Sequence, residues 1–266
     1  MSQINQLFFQ NVVDFVSENK TLKSSQKEQI DLVAKAYYTY IIYLDKLFDQ
    51  EIEINQDSLN TNPLFELTQH HELCIKTLVK LFGEDSTIFE SKAVNSKIYF
   101  DALVKEKLFD FEQSNFHLND FEKLAVDKHI PVFFIVDALE LLIEDYPTKE
   151  TKDMLSYIFR GIQMYDDVTD IGEDLQQKQF TYIISKTIHL LKSDDDYYPD
   201  NQSYTHKAFF ALEELSNPEF DYMVNQFEEA KKIANQLNYS QIENWCTAII
   251  AQVEDWKSQI EDIRNA

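Results

Sequence analysis

Residues 160–175 read Arg160-Gly161-Ile162-Gln163-Met164-Tyr165-Asp166-Asp167-Val168-Thr169-Asp170-Ile171-Gly172-Glu173-Asp174-Leu175. Five carboxylates stand within nine positions. At about 100° per residue, a helix places Asp166, Asp170 and Asp174 in one ladder at i, i+4 and i+8. Asp167, Gln163 and Arg160 share the same broad stripe. Met164, Val168, Ile171 and Leu175 fall on a neighbouring apolar stripe. The acids are sorted from the apolar residues, so the segment is predicted to be a helix buried along one side.

Like charges at i, i+4 destabilise a helix by about 0.2–0.5 kcal/mol per pair. Helix stability alone therefore does not favour the ladder. A hard divalent cation accounts for it, because Mg²⁺ takes oxygen ligands and binds through one or two carboxylates together with phosphates. The alternative is a solvated acidic face in an acidic protein. A second acidic pair, Asp45 and Asp49, stands at i, i+4 in Tyr43-Leu44-Asp45-Lys46-Leu47-Phe48-Asp49-Gln50-Glu51. It ends a strongly apolar and aromatic face made of Ala34, Tyr37, Tyr38, Ile41, Ile42 and Leu44.

Outward from these segments the hydrophobic period is helical almost throughout. Helices are predicted near 3–18, 25–50, 63–82, 86–111, 119–145, 149–178, 180–192, 203–215, 218–237 and 240–263. Capping-box patterns are Ser25 with Glu28, Asn119 with Glu122 and Ser240 with Glu243. Asn217-Pro218 reads as an N-cap followed by Pro at the first helical position. The segments Glu51–Asn62 and Ser193–Gln202 read as irregular. No strand-rich stretch, internal repeat or linker divides the chain. The expectation is an all-α fold, one domain over 1–266, with about ten helices around a central cavity.

Composition agrees. The chain has 266 residues and a formal charge of −23. Its 20 Phe and 14 Tyr give it much to bury, and only 3 Gly and 5 Pro argue against turn-rich β folds. An acidic surface excludes a nucleic-acid binder, which needs cations to displace counterions. It also disfavours unaided binding to anionic membranes. No apolar run is long enough to span a bilayer, and the N-terminus lacks the pattern of a secretory signal. Cys74 and Cys246 read as buried, reduced thiols, and the expected location is cytoplasmic. His70-His71, near Cys74, lack the further His or Cys that a zinc site needs.

The two acidic segments together resemble the class I terpenoid synthases of the trans-isoprenyl diphosphate type, with the nearest local likeness to squalene and phytoene synthases. Their second acidic motif reads approximately QxxNxxRDxGED. Here Gln163, Asp166, Asp170, Gly172, Glu173 and Asp174 occupy its places. The stretch also resembles the QxxDDxxD motif of chain-elongating prenyltransferases through Gln163, Asp166, Asp167 and Asp170. Asp45 and Asp49 match the first motif in a reduced form. The sequence departs where Thr169 replaces the motif Arg, and where Arg264 is followed by Asn265 rather than by the Tyr usual in terpene cyclases.

The resemblance implies a Mg²⁺-dependent terpene synthase or prenyltransferase that ionises a prenyl diphosphate to an allylic cation and releases diphosphate. Mg²⁺ would be held by Asp45, Asp49, Asp166, Asp170 and Asp174. Arg160, Lys128 and Lys178 would contact the diphosphate. Tyr37, Tyr38, Phe133, Phe134 and Tyr165 are candidates to face the cation, or else to pack in the core. Head-to-head condensation, chain elongation and a catalytically silent partner subunit of the same fold are the alternatives. The family allows a homodimer.

Overall fold

Helix ends in this chain are set by short side-chain signals. Asn62 accepts hydrogen bonds from the Leu64 and Phe65 N–H groups, at 3.1 and 3.2 Å, and Pro63 takes the first helical position. Gly83 ends the same helix at φ 80°, a region that side chains disfavour. Thr181 caps a later helix by accepting from the Ile184 N–H.

The computed structural model of the chain describes residues 8–48, 62–108, 116–177, 179, 181–192 and 202–266. All regular structure among the described residues is helical. The α-helices are α1 (Val12–Val16), α2 (Ser24–Phe48), α3 (Pro63–Phe82), α4 (Ile88–Leu108), α5 (Leu118–His129), α6 (Phe133–Glu140), α7 (Thr148–Gln177), α8 (Tyr182–Leu191), α9 (Gln202–Ala211), α10 (Glu213–Leu237) and α11 (Ser240–Asn265), with a 3₁₀ turn at Ile130–Val132. No helix among the described residues is long and apolar enough to cross a membrane. Cys74 and Cys246 are buried free thiols.

The described residues fall into two compact units. One, the N-terminal unit, holds the described residues up to Leu103 together with Ile130–Thr148. In it α2 packs along α3, and α1 and α6 also pack on α2. Ile30, Val33, Tyr37, Cys74, Leu78 and Phe134 are buried. Each fully buried side chain of the Val, Leu, Ile or Phe class contributes about 1.5–3 kcal/mol. The Tyr37 ring meets Phe134 edge-on at 4.9 Å, and Tyr38 stacks on Phe9 at 4.9 Å, so these aromatics serve packing. Lys92 is also inside, 7% exposed, with its Nζ 4.2 Å from the Tyr37 ring centroid. A desolvated cation–π contact contributes about 2 kcal/mol, less than the several kcal/mol that burying an ammonium costs.

The other unit holds Val104–His129 and Lys149–Ala266. Its long α7 buries Met154, Leu155, Ile158, Phe159, Ile162, Met164, Val168, Ile171 and Leu175. The hairpin α10–α11 turns through Asn238 at φ 60°. Phe227 of α10 meets Trp245 of α11 edge-on at 5.7 Å. Near the end of α11, Arg264 donates to the Phe210 carbonyl at 2.7 Å, to Asn217 Oδ1 at 2.9 Å and to Ser216 Oγ. This guanidinium is a structural pin.

The structure corrects several predicted boundaries. The helix expected over 119–145 breaks into α5, the 3₁₀ turn and α6, because Pro131 lacks an N–H and its ring crowds the preceding turn. Conversely, α10 runs through Pro218, and Asn217 receives Arg264 instead of capping a new helix. Caps also differ. Gln26 Oε1 accepts from the Lys23 N–H and Asp120 from the His117 N–H, where Ser25–Glu28 and Asn119–Glu122 were expected. Tyr239, whose side chain makes no cap, precedes α11.

Gly161 lets α7 approach α10. A Cβ there would stand 2.7 Å from the Phe227 ring, which is fully buried and held by Trp245. At Gly172 a Cβ would meet only the His206 ring, at 3.5 Å. Gly161→Ala is expected to lose about 1–2 kcal/mol, because overpacking of about 1–3 kcal/mol outweighs the gain in helix propensity. Gly172→Ala is expected to gain up to about 1 kcal/mol from propensity alone. Urea unfolding of the two variants gives both signs.

Candidate functional site

On α7, Gln163, Asp167, Asp170 and Asp174 recur at i, i+4, i+7 and i+11, which keeps them within about 60° of one another around the axis. Met164, Val168, Ile171 and Leu175 lie beside them and are buried. Burying that apolar stripe carries part of the acidic stripe inward. Asp167 is 6% exposed, and Gln163 Nε2 donates to its Oδ1 at 2.8 Å.

Two other elements of the same unit face this acid. Glu106 comes from the end of α4, and Lys128 from the last turn of α5, where a cation suits the helix dipole. Lys128 Nζ donates to Glu106 Oε1 at 2.9 Å, with side-chain exposures of only 17% and 8%. The neighbouring His129 fixes this end of α5. Its ring stacks on Phe159 of α7 at 5.1 Å and its Nδ1 bonds the Ala125 carbonyl at 2.7 Å. Burial lowers its pKa to about 4, so it is neutral and adds no charge at pH 7.

The site carries more carboxyl groups than cations among the described residues. Burial, then the charge of Asp174, raises the Asp167 pKa well above the carboxylate range, while Gln163 and Lys128 oppose the shift and Glu106 adds to it. Burial, then Asp170, pushes Asp174 from 3.8 up to about 7, again with Lys128 opposing. Burial also raises Asp170, with Glu173 adding to it. Among the described residues, Asp167, Asp170, Asp174 and Glu106 are thus set against one lysine, Lys128, which is already bonded to Glu106.

Most of the anticipated residues lie on described helices. Asp170, Asp174 and Lys128 belong to this cluster. Asp166 lies at its flank, half-buried, beside Tyr165, whose hydroxyl accepts from Gln252 at 3.0 Å and whose ring meets Trp256 edge-on. Arg160 lies over the Tyr157 ring at 5.5 Å, and its Nε is buried without a hydrogen-bond partner among the described residues. Asp45 sits half-buried on α2 in the N-terminal unit. Asp49 and Lys178 lie outside the described residues. Sequence reasoning left Asp167 out of the site, although its spacing from Gln163 and Asp174 was visible. Glu106 had no such signal, because Lys105-Glu106-Lys107 resembles an ordinary surface charge run.

The donor set fits a hard divalent cation: carboxylate oxygens on one helix face, with negative charge that a lysine only partly offsets. Among the described residues no three His, Cys, Asp or Glu side chains already converge as a metal cage. Such a cage is not required of Mg²⁺, which commonly binds through one or two carboxylates, waters and a substrate phosphate. No protein-family model matches the chain, and neither a curated protein nor a solved structure matches it significantly.

Two expectations follow from the buried charge. Asp174 has a folded pKa of about 7 against 3.8. Between those values the folded protein holds a proton that the unfolded chain has released. Its contribution to stability is therefore present below about pH 4 and is lost as pH rises to 7. In urea titrations from pH 4 to 8, Asp174→Asn should show a shallower loss of stability than the wild type, and parallel curves would contradict this. Lys128→Met, which strands Glu106, should destabilise by about 3–5 kcal/mol. Adding Glu106→Leu should recover most of that loss in the same measurement.

Proposed function

We propose that the protein is a Mg²⁺-dependent enzyme that ionises a prenyl diphosphate, within a helical fold of the class I terpenoid synthase kind built around a central cavity. The observation that carries this proposal is the carboxyl surplus on α7, formed by the buried Asp167 and the half-buried Asp170 and Asp174, beside one lysine among the described residues that is itself paired. Clustered carboxyl groups whose ionisation burial opposes are costly to ionise, and retaining them is reasonable where a cation is to be received. The buried, unbonded Nε of Arg160 on the same helix supports an anionic ligand close by.

In this account Asp167, Asp170 and Asp174 hold the metal, with Asp166 at the edge of the set. When bound, Mg²⁺ supplies Lewis-acid charge to the diphosphate leaving group and orients it. Gln163 holds the Asp167 carboxylate in one rotamer through its 2.8 Å bond. Glu106 and the stacked His129 hold the Lys128 ammonium in the same field, where it offsets part of the negative charge. Arg160 contributes hydrogen-bond donors toward the diphosphate. Met164, Val168 and Ile171 keep the neighbouring side of the helix dry, so water does not reach the acids from that side.

A second reading is a non-catalytic partner subunit of the same fold. The sequestration of Lys128 by Glu106 favours it, since that lysine is committed within the protein.

Product analysis by gas chromatography–mass spectrometry separates the outcomes. The protein is incubated with Mg²⁺ and geranyl, farnesyl or geranylgeranyl diphosphate, each with and without isopentenyl diphosphate. A hydrocarbon or alcohol from one substrate identifies a terpene synthase, and a doubled carbon count identifies head-to-head coupling. A lengthened diphosphate identifies elongation. Asp170→Ala is expected to abolish turnover while leaving the circular dichroism spectrum unchanged. Full activity in that variant, or no Mg²⁺-dependent diphosphate release in the wild type, contradicts the proposal.

A further inference from the structure

A single residue, Leu212, separates α9 from α10. Its N–H donates to the Ala208 carbonyl at 2.9 Å, as the next residue of α9 would. Its carbonyl already accepts from the Leu215 and Ser216 N–H groups, at 3.1 and 3.3 Å. Between these two roles its backbone is extended, at φ −94° and ψ 117°. The start of α10 is weak by sequence. No side chain caps it, and Pro218 has no N–H to give the Glu214 carbonyl. One guanidinium spans this junction. Arg264 Nε donates at 2.7 Å to the Phe210 carbonyl, in the last turn of α9, where carbonyls lack helical partners. On the other side, its Nη1 donates to Asn217 Oδ1 at 2.9 Å and its Nη2 to Ser216 Oγ, both near the start of α10.

We propose that α9 is a hinged lid on α7, with Leu212 as its hinge and the Arg264 guanidinium as the clasp that holds it shut. The lid rests where α7 is flattest. The His206 ring of α9 lies 3.5 Å from the place a Gly172 Cβ would take. At about 100° per residue, Gly172 stands in the same turn of α7 as Asp170 and Asp174 but on the other side of the axis. The lid therefore backs the turn that carries those acids. Phe210 joins lid and clasp through its ring as well as its carbonyl. The ring meets His206 edge-on at 5.4 Å and lies 6.5 Å from the Trp256 ring of α11, the helix that ends in Arg264.

The energetics divide in the same way. α9 buries Thr205, Ala208 and Phe209, whereas α7 and α10 each bury many more side chains. An element with few buried side chains opens at a lower free energy than the core around it. Because α11 packs along α10, Arg264 stays with Ser216 and Asn217 when α9 swings, and the bond to the Phe210 carbonyl is the one released. Ser216 and Asn217 are thus positioning residues for the clasp. All three acceptors are uncharged, so the bridge rests on the planar fork of the guanidinium and not on an opposing carboxylate. The end of α9 also favours a cation through its dipole. A hinge needs only a terminal residue able to absorb the backbone change, and Leu212 already stands outside helical geometry.

Hydrogen exchange of the full chain, read by peptide mass spectrometry with circular dichroism as the check on folding, tests this. In the wild type the amides of 205–212 are expected to exchange as one group, ahead of α7 over 154–171 and of α10 from 219 onward. Arg264→Met is expected to speed that group about tenfold with the circular dichroism spectrum unchanged. Exchange of the group no sooner than α7 in the wild type, or at an unchanged rate in the variant, overturns the proposal. Arg264→Lys keeps the cation without the fork and is expected to restore only part of the protection; full protection in that variant overturns the bridging role of the guanidinium. Should Arg264→Met not fold, Asn217→Ala takes its place, with a several-fold rise expected and an unchanged rate overturning the clasp. The measurement needs no substrate, so it is read separately from prenyl diphosphate turnover.

Discussion

The structure depends on one constraint along α7: its apolar stripe cannot be buried without drawing acids in with it. Met164, Val168, Ile171 and Leu175 lie next to Gln163, Asp167, Asp170 and Asp174 around the axis, so desolvating the first set partly desolvates the second. Desolvation is the largest cause of the upward shift of all three aspartates. Lys128 relieves part of the charge but is itself bonded to Glu106. Much of the rest of the unit holds that compromise in place. His129 stacks on Phe159, Gly161 admits Phe227, and Arg264 pins α11 to Phe210, Ser216 and Asn217.

An arrangement of this kind has a thermodynamic meaning. Like charges buried together disfavour the folded state above their shifted pKa, and any species that neutralises them there is bound with a matching gain. Protons and hard cations compete for that role. The same logic in opposite sign applies to Lys92, a cation placed among aromatic rings instead of carboxylates. The two units therefore each contain a group whose charge burial opposes.

Much of the fold was legible in the sequence because helical periodicity is local. The helix predicted near 63–82 matches α3, and the stripe pattern pointed to α7. The errors came from residues whose role is fixed by partners distant in sequence. Pro218 passes inside α10 while Arg264, 46 positions on, bonds the residues before it. Pro131 acts the other way and breaks a helix that looked continuous. At the site, the acids of α7 were readable by spacing, but the ladder chosen, Asp166–Asp170–Asp174, leaves out Asp167, the most buried acid of that helix. Which edge of an acidic stripe turns inward depends on the neighbours, and Glu106 comes from another helix altogether. Lys128 was singled out in the sequence as a diphosphate contact, but its pairing with Glu106 was not visible there.

Thermal unfolding at pH 8 with Mg²⁺ and inorganic diphosphate, in the wild type and in the Asp167→Asn/Asp174→Asn double variant, tests the central claim most directly. Ligands at about 100 times their dissociation constant stabilise by about 2.7 kcal/mol, or roughly 5–10 °C for a chain of this size. The account predicts a rise of that order in the wild type and none in the variant. No rise in the wild type, or an equal rise in both, would contradict it.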